Sequence, residues 1–528
     1  MQILYNARIV TQNPRQPAAS ALAIAGGRIQ AVGSDAEILA LAGPATPRED
    51  LEGRTVWPGL TDGHFHLQYY ALGLQKVDVE TDTRAECLRR VAERAQTTPP
   101  GTWVLGHGWN QNLWPEGFGS ARDLDQVAPD HPVYLTAKSL HAAWANTAAL
   151  SLAGISADTP DPAGGTIVRD SQGRPTGILL ENAMDLVSHH LPAPTIDAVA
   201  AAIRQAQPGL WQMGLTGGHD FDGPRCFAAL SRLEAEGDLG LRILKGIRRE
   251  SLPAAHDLLL GGGFGSEWIR FGCVKLFADG ALGPQTAAML APYELSPDQL
   301  GMALLEADEI FELGRLAAES RLGLAIHAIG DRANRIVLDG YTKLRRWEAE
   351  TRRPHLRHRI EHVQVLHPAD HDRLAELDII ASMQPIHATS DMEIADRYWG
   401  GRASLAYAFR SLLERGTRLC FGSDAPVESP NPFRGLHAAV TRRRASGEPG
   451  PAGWQARQRL SLQQALDGYT TGAAYAAGWE NWLGQLAPGF AADLIVLPVD
   501  PAALPVQELH TLAPAATMVA GRWVWRGA

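Results

Sequence analysis

The sequence predicts an α/β protein, a (β/α)₈ TIM barrel that carries a composite β-sandwich domain formed by both termini and a large insert after the first barrel strand. Eight short β-prone runs alternate with helix-length stretches between residues 57 and 423, the spacing of parallel strands joined by crossover helices. Both chain ends read as strands and turns. About 150 residues separate the first run from the second, far more than one crossover helix needs.

Ile3 to Val10, Ala21 to Ala25 and Arg28 to Val32 are strand-like, with Gly26-Gly27 as a turn. Ala492 to Leu497 and Ala516 to Val519 resume that character, followed by a Gly521-Arg522 turn and Trp523-Val524-Trp525. Neither end is long enough to bury a core alone, so 1–56 and 485–528 are expected to pair into one sandwich interrupted by the barrel. The barrel is expected over 57–80 and 190–484. Its strands are the run ending in His64-Phe65-His66, then Leu215 to Asp220, Leu241 to Ile247, Ile269 to Phe277, Leu322 to Ile329, His358 to Val363, Ile379 to Gln384 and Arg418 to Ser423. The insert, 81–189, is rich in Trp, Pro and Gly, and long inserts at an active-site face shape a pocket or lid.

Residues 61 to 67 read Thr-Asp-Gly-His-Phe-His-Leu. Side chains two apart on a strand share a face, so His64 and His66 can reach one metal ion without bending the backbone. Four later strand-like runs each end in one more candidate ligand: Lys275, His327, His362 and Asp424. Gly, Pro or a helix-starting residue follows each within a few positions, as where a strand gives way to a loop. Such a barrel gathers the C-terminal ends of its strands on one face, so residues scattered over some 360 positions converge there.

Hydrophobic content of 45% with 20% charged residues supports a sizeable core. The net charge of −10, with no basic stripe, argues against a nucleic-acid or anionic-membrane partner and leaves a small-molecule substrate. Cys87, Cys226, Cys273 and Cys420 are widely spaced, which indicates neither a zinc knuckle nor a disulfide framework and fits a reducing cytoplasm. Neither an export signal nor a membrane span is expected. The oligomeric state stays open, a homo-oligomer included.

On these residues the chain resembles the amidohydrolase superfamily, and within it the YtcJ-like branch of metal-dependent hydrolases. The motifs are Asp62-Gly63-His64-Phe65-His66, Val274 to Gly283, His327 to Ala333, Arg359 to Gln364, Ser382 to Pro385 with His387, and Gly422 to Pro426. The resemblance runs nearly end to end, including Gly489 to Leu494 and the insert stretch His141 to Asn146. It implies two divalent ions, with ligands that suit zinc and would also accept iron, manganese or nickel, the first held by His64, His66 and Asp424 and the second by His327 and His362. Lys275 is implied to be carbamylated and to bridge both ions. The alternative for Lys275 is a buried lysine paired with a carboxylate such as Asp279.

Metal-acidified water would then attack a substrate carbonyl, with Asp424 as general base and afterwards general acid. His219 and Asp220 end one strand, and Gln384 with His387 ends another; each either touches substrate or makes a structural hydrogen bond. Asp62 and Asp279 are candidates to fix the tautomer of a ligating histidine. Asp331 reads as a helix N-cap. Trp109, Trp114, His141 and Trp144 either roof an apolar pocket or pack the insert. The leading function is hydrolysis of a carbon-nitrogen bond in an N-acyl, N-formyl or related non-peptide amide. An esterase, lactonase or deaminase on the same site is the alternative within enzymes. A catalytically silent binding protein would have shed ligands, whereas all six positions carry competent residue types.

Overall fold

Eight parallel strands follow one another in sequence order around a single sheet. They are β1 (Leu60–Phe65), β2 (Leu215–Asp220), β3 (Arg242–Arg248), β4 (Ile269–Phe277), β5 (Gly323–Ala328), β6 (Arg359–His362), β7 (Ile380–Met383) and β8 (Leu419–Phe421). The ring is nearly closed. Just past β8, the Asp424 N–H donates to the His64 carbonyl at 2.7 Å and the His66 N–H donates to the Ala425 carbonyl at 3.0 Å. Apart from β3, which extends one residue further to Arg248, each strand falls inside an apolar run expected from the sequence, because parallel strands buried on both faces need unbroken hydrophobic stretches rather than alternation.

This computed structural model describes residues 1–111, 113–140 and 142–527, so the candidate pocket residue His141 lies outside the described residues. The chain divides into two compact units, Met1–Leu67 with Arg204–Ala528, and Gln68–Ile203. No helix among the described residues is long and apolar enough to cross a membrane.

In the larger unit, helices cover the barrel by burying one apolar stripe each. Asp331–Glu350, for example, buries Val337, Leu338, Tyr341 and Leu344. Asp331 is not its N-cap. Gly330 takes that position, and the Asp331 carboxylate instead accepts the Leu290 N–H at 2.8 Å.

The same unit holds two further sheets. One has four strands, Gln2–Tyr5, Ala21–Ala25, Arg28–Gly33 and Arg48–Asp50. The other has six and draws on both chain ends, because Thr55–Pro58 pairs antiparallel with Leu494–Leu497. Leu22, Ile24 and Ile29 of the first share an apolar core with Val56, Leu494, Val496 and Met518 of the second. Gly26 and Gly27 make the expected turn with φ of 59° and 74°, angles a β-carbon would strain. The later turn falls at Ala520-Gly521, one residue before the expected Gly521-Arg522, since Arg522 already pairs with Val519.

The smaller unit has its own six-stranded sheet, ordered Gly165–Arg169, Pro175–Glu181, Ala142–Ala145, Val133–Ala137, Val104–Trp109 and Val77–Asp78. Helix Arg84–Thr97, capped where the Thr83 hydroxyl accepts the Glu86 N–H, buries Cys87, Val91 and Ala95. Trp109, Trp114 and Trp144 meet in its core with ring centroids 6.1 to 6.4 Å apart.

Candidate metal centre

β1 ends in the His-x-His pair, and each imidazole is tied through Nδ1 to a buried carboxylate. His64 Nδ1–H donates to Glu361 Oε2 at 2.6 Å, and His66 Nδ1–H donates to Asp222 Oδ1 at 2.9 Å. That fixes the tautomers and leaves both Nε2 atoms as lone-pair donors. Both point at one place: Asp424 Oδ1 lies 3.4 Å from His64 Nε2 and 3.5 Å from His66 Nε2.

The other expected ligands arrive at the same rim. Lys275 Nζ is 3.1 Å from His64 Nε2. The His362 ring lies 4.9 Å from that of His64 and 4.5 Å from that of His327. Donor atoms of His64, His362 and Asp424 all lie within 4.8 Å of one another. His362 Nδ1–H donates to Gln384 Oε1 at 2.8 Å, so its Nε2 also carries a free lone pair. His327 Nε2–H donates to the Gly280 carbonyl at 2.9 Å, which leaves Nδ1 as its unprotonated nitrogen.

The backbone bends to make this convergence. His362, Val363 and Asp424 have φ of 74°, 45° and 60°, left-handed conformations that non-glycine residues adopt only where surrounding structure holds them. At His362 the bend breaks strand alternation, so that Glu361 and His362, neighbours in sequence, both reach His64.

Electrostatics favour the metal-binding form of two of the imidazoles. Burial, reinforced by the positive charge of Lys275, holds His64 well below the usual imidazole range; burial and the neighbouring His327 do the same for His362. Burial pushes the Lys275 ammonium down to about 8 against the opposing pull of Glu361 and Asp424. Burial works against protonation of His66 too, yet its hydrogen bond to Asp222 and the Asp222 charge raise it overall.

These residues fit a divalent metal centre. Five nitrogens and a carboxylate converge, burial favours the neutral form of His64 and His362, and most of the outward-facing imidazole nitrogens are engaged by protein acceptors, the donor chemistry that zinc and its neighbours prefer. Lys275 touches His64 and makes no ion pair with Asp279, while the carboxylates whose charges act on it are Glu361 and Asp424.

The remaining candidates sort by what they touch. Gln384 orients His362, and the His387 ring lies parallel to that ring at 6.2 Å. Asp62 accepts the N–H groups of His64 and Ser423, each at 3.0 Å, so it pins backbone on both sides of the seam and does not bind an imidazole. Asp279 likewise accepts three backbone N–H groups, from Ala288, Ile329 and Gly330, and its 3.6 Å approach to His327 Nε2 is too long for a hydrogen bond. His219 and Asp220 are fully buried. His219 accepts from Arg359 at 2.8 Å, and Asp220 pairs with Lys245 at 2.7 Å and accepts the Leu67 N–H. Trp109 and Trp114, expected as pocket aromatics, pack in the insert's own core, where their indole N–H groups donate to the Leu135 and Thr81 carbonyls.

Sequence reasoning missed Glu361, Asp222 and Arg359. Glu361 and Arg359 stand inside a recognised motif beside His362, and Asp222 lies two residues past the end of β2. A charged residue inside an apolar strand is the signal that marks the first two. Beside His66 and Lys275 opens a cavity of about 320 Å³ walled on one side by Phe221, Leu276, Phe277, Leu304 and Leu305 and on the other by Arg248, Arg249 and Glu250.

A parallel barrel with imidazoles, a lysine and an aspartate gathered on one rim defines a metal-dependent hydrolase. The chain belongs to the amidohydrolase family, whose model matches residues 49–525. It is 33% identical to the putative amidohydrolase YtcJ of Bacillus subtilis, over 91% of each protein. It is 30% identical to the N-substituted formamide deformylase of Arthrobacter pascens, over 98% of this chain and 97% of that enzyme. Among solved structures it resembles an uncharacterized metal-dependent hydrolase from Pyrococcus furiosus with a TM-score of 0.77 and 30% identity, covering 95% of this chain and 99% of that one.

Proposed function

We propose that the protein hydrolyses the carbon-nitrogen bond of a small non-peptide amide, an N-acyl or N-formyl compound. The observation that carries this reading is the convergence of His64, His362 and Asp424 within 4.8 Å. The cavity beside His66 and Lys275, with an apolar side of Phe221, Leu276, Phe277, Leu304 and Leu305 and a charged side of Arg248, Arg249 and Glu250, and the similarity to a formamide deformylase support the substrate class.

His64, His66 and Asp424 would hold one zinc ion, His327 and His362 a second, with carbamylated Lys275 between them. The chemistry such a centre supplies when bound is Lewis acidity, which acidifies water to near neutrality and polarises a carbonyl. Lys275, brought down to about 8 by burial, offers a neutral amine to carbon dioxide near physiological pH; an N–C bond forms and the amine proton leaves. Asp424 accepts a proton from the attacking water as the O–C bond forms, then delivers it to the nitrogen as the C–N bond breaks. His66 and Phe221 flank the cavity in which the nitrogen substituent sits.

Removal of metal with a chelator should abolish turnover of N-formyl and N-acyl amines, and zinc should restore it. Full activity in metal-free protein overturns the reading; preference for esters or lactones over matched amides overturns the substrate class alone.

A further inference from the structure

The interior of a (β/α)₈ barrel is ordinarily filled by layers of branched apolar side chains. Here the layer next to the metal centre is polar: His219, Arg359, Glu361 and Ser382 are each no more than 1% exposed. Stability does not account for it, since replacing a buried ion pair by apolar groups of similar volume is commonly neutral or stabilising.

The contacts indicate what the layer does. Both oxygens of Glu361 are engaged by Arg359, Oε1 by Nε and Oε2 by Nη2, the latter at 3.0 Å, while Oε2 also accepts from His64 Nδ1 at 2.6 Å. Arg359 Nη2 further donates to the Gly63 carbonyl and to Ser382 Oγ, each at 2.6 Å, and Nη1 donates to His219 Nδ1 at 2.8 Å. One guanidinium therefore grips the carboxylate that aims the His64 ring and also the peptide carbonyl just before His64. Ser382 on β7 and His219 on β2 hold that guanidinium in place.

We propose that Arg359 and Glu361 act as one positioning unit for the metal centre, locking the ring and backbone of His64 so that Nε2 presents its lone pair to the ion. Neither residue contacts substrate or reacting atoms in this role. The inference rests on the metal-centre reading above, but not on which amide is cleaved.

The test is metal retention. Zinc affinity of the purified full chain is measured by chelator competition and the ligand field by the visible spectrum of the Co(II)-loaded form, with circular dichroism and thermal midpoint reporting the fold. Glu361→Gln should remain folded, weaken zinc binding about 10- to 100-fold and alter the Co(II) spectrum. Arg359→Met should do the same or worse, because it leaves a buried carboxylate uncompensated. The double variant Arg359→Met/Glu361→Gln should be no worse than the poorer single variant, as expected of two residues acting as a unit. Should Arg359→Met fail to fold, the double variant, which carries no buried charge there, and Glu361→Gln still decide the matter. Folded Glu361→Gln protein that binds zinc within about twofold of the wild type, or losses that simply add in the double variant, overturns the proposal. Wild-type protein that takes up no metal overturns the metal-centre reading itself, which is a separate result.

Discussion

Asp424 stands where two imidazole Nε2 atoms meet, at 3.4 and 3.5 Å, on a residue held at a φ of 60°. A group that relays a proton during bond making and breaking acts mainly in the transition state, so its loss lowers kcat more than it changes substrate affinity. Asp424→Asn is expected to reduce kcat about 10²- to 10⁴-fold with KM little changed, measured on metal-reconstituted protein. His219 poses a different question, because burial and then the Arg359 charge bring its imidazole down to about 3. An unfolded histidine titrates near ~6.5, so the folded value is depressed. Stability from neutral His219 is therefore fully present above about pH 6.5 and is lost as pH falls toward about 3, with unfolding taking up the proton. His219→Gln should flatten the fall of the thermal midpoint between those limits, and an unchanged slope rules out this residue as its source.

At the scale of the element, the seam between β1 and β8 is where sequence and chemistry are most tightly joined. A β-carbon on Gly63 would lie 2.3 Å from Cys420 Sγ and 2.7 Å from the Phe421 carbonyl; one on Gly422 would lie 2.3 Å from the His64 nitrogen. Only glycine lets the two strands approach closely enough for Asp424 to bond the His64 carbonyl. Gly63→Ala is expected to cost about 1–3 kcal/mol in denaturant unfolding and to loosen metal binding, because backbone must move to admit the methyl group. The strands themselves were legible from apolar runs broken by Gly and Pro. The roles within them were less so: alternation puts Arg359 and Glu361 on one face of β6, but only the paired partners, Gly63, His64 and His219, show that this face meets the metal centre.

Across the whole chain, the expected ligands come from five separate strands or their ends, so ordering the centre requires the barrel to be assembled. A ligand that binds only the folded form stabilises it by about 2.7 kcal/mol when its free concentration is 100 times its dissociation constant. Zinc should therefore raise the thermal midpoint of wild-type protein, and raise it less for His64→Ala than for the wild type. An equal shift in both would mean that the ion binds elsewhere.

The sequence alone determined the strand order and placed six candidate ligands at strand ends, because a β-strand's period and its terminating Gly and Pro are local properties written into neighbouring residues; separately, the sequence made the family legible through its ordered motifs. It could not determine which carboxylate fixes which imidazole, that Asp62 and Asp279 serve backbone amides, or that Trp109 and Trp114 pack an insert core. Those outcomes depend on side chains brought together from distant strands, and distance in the fold is set by the closure of the ring, not by any spacing along the chain.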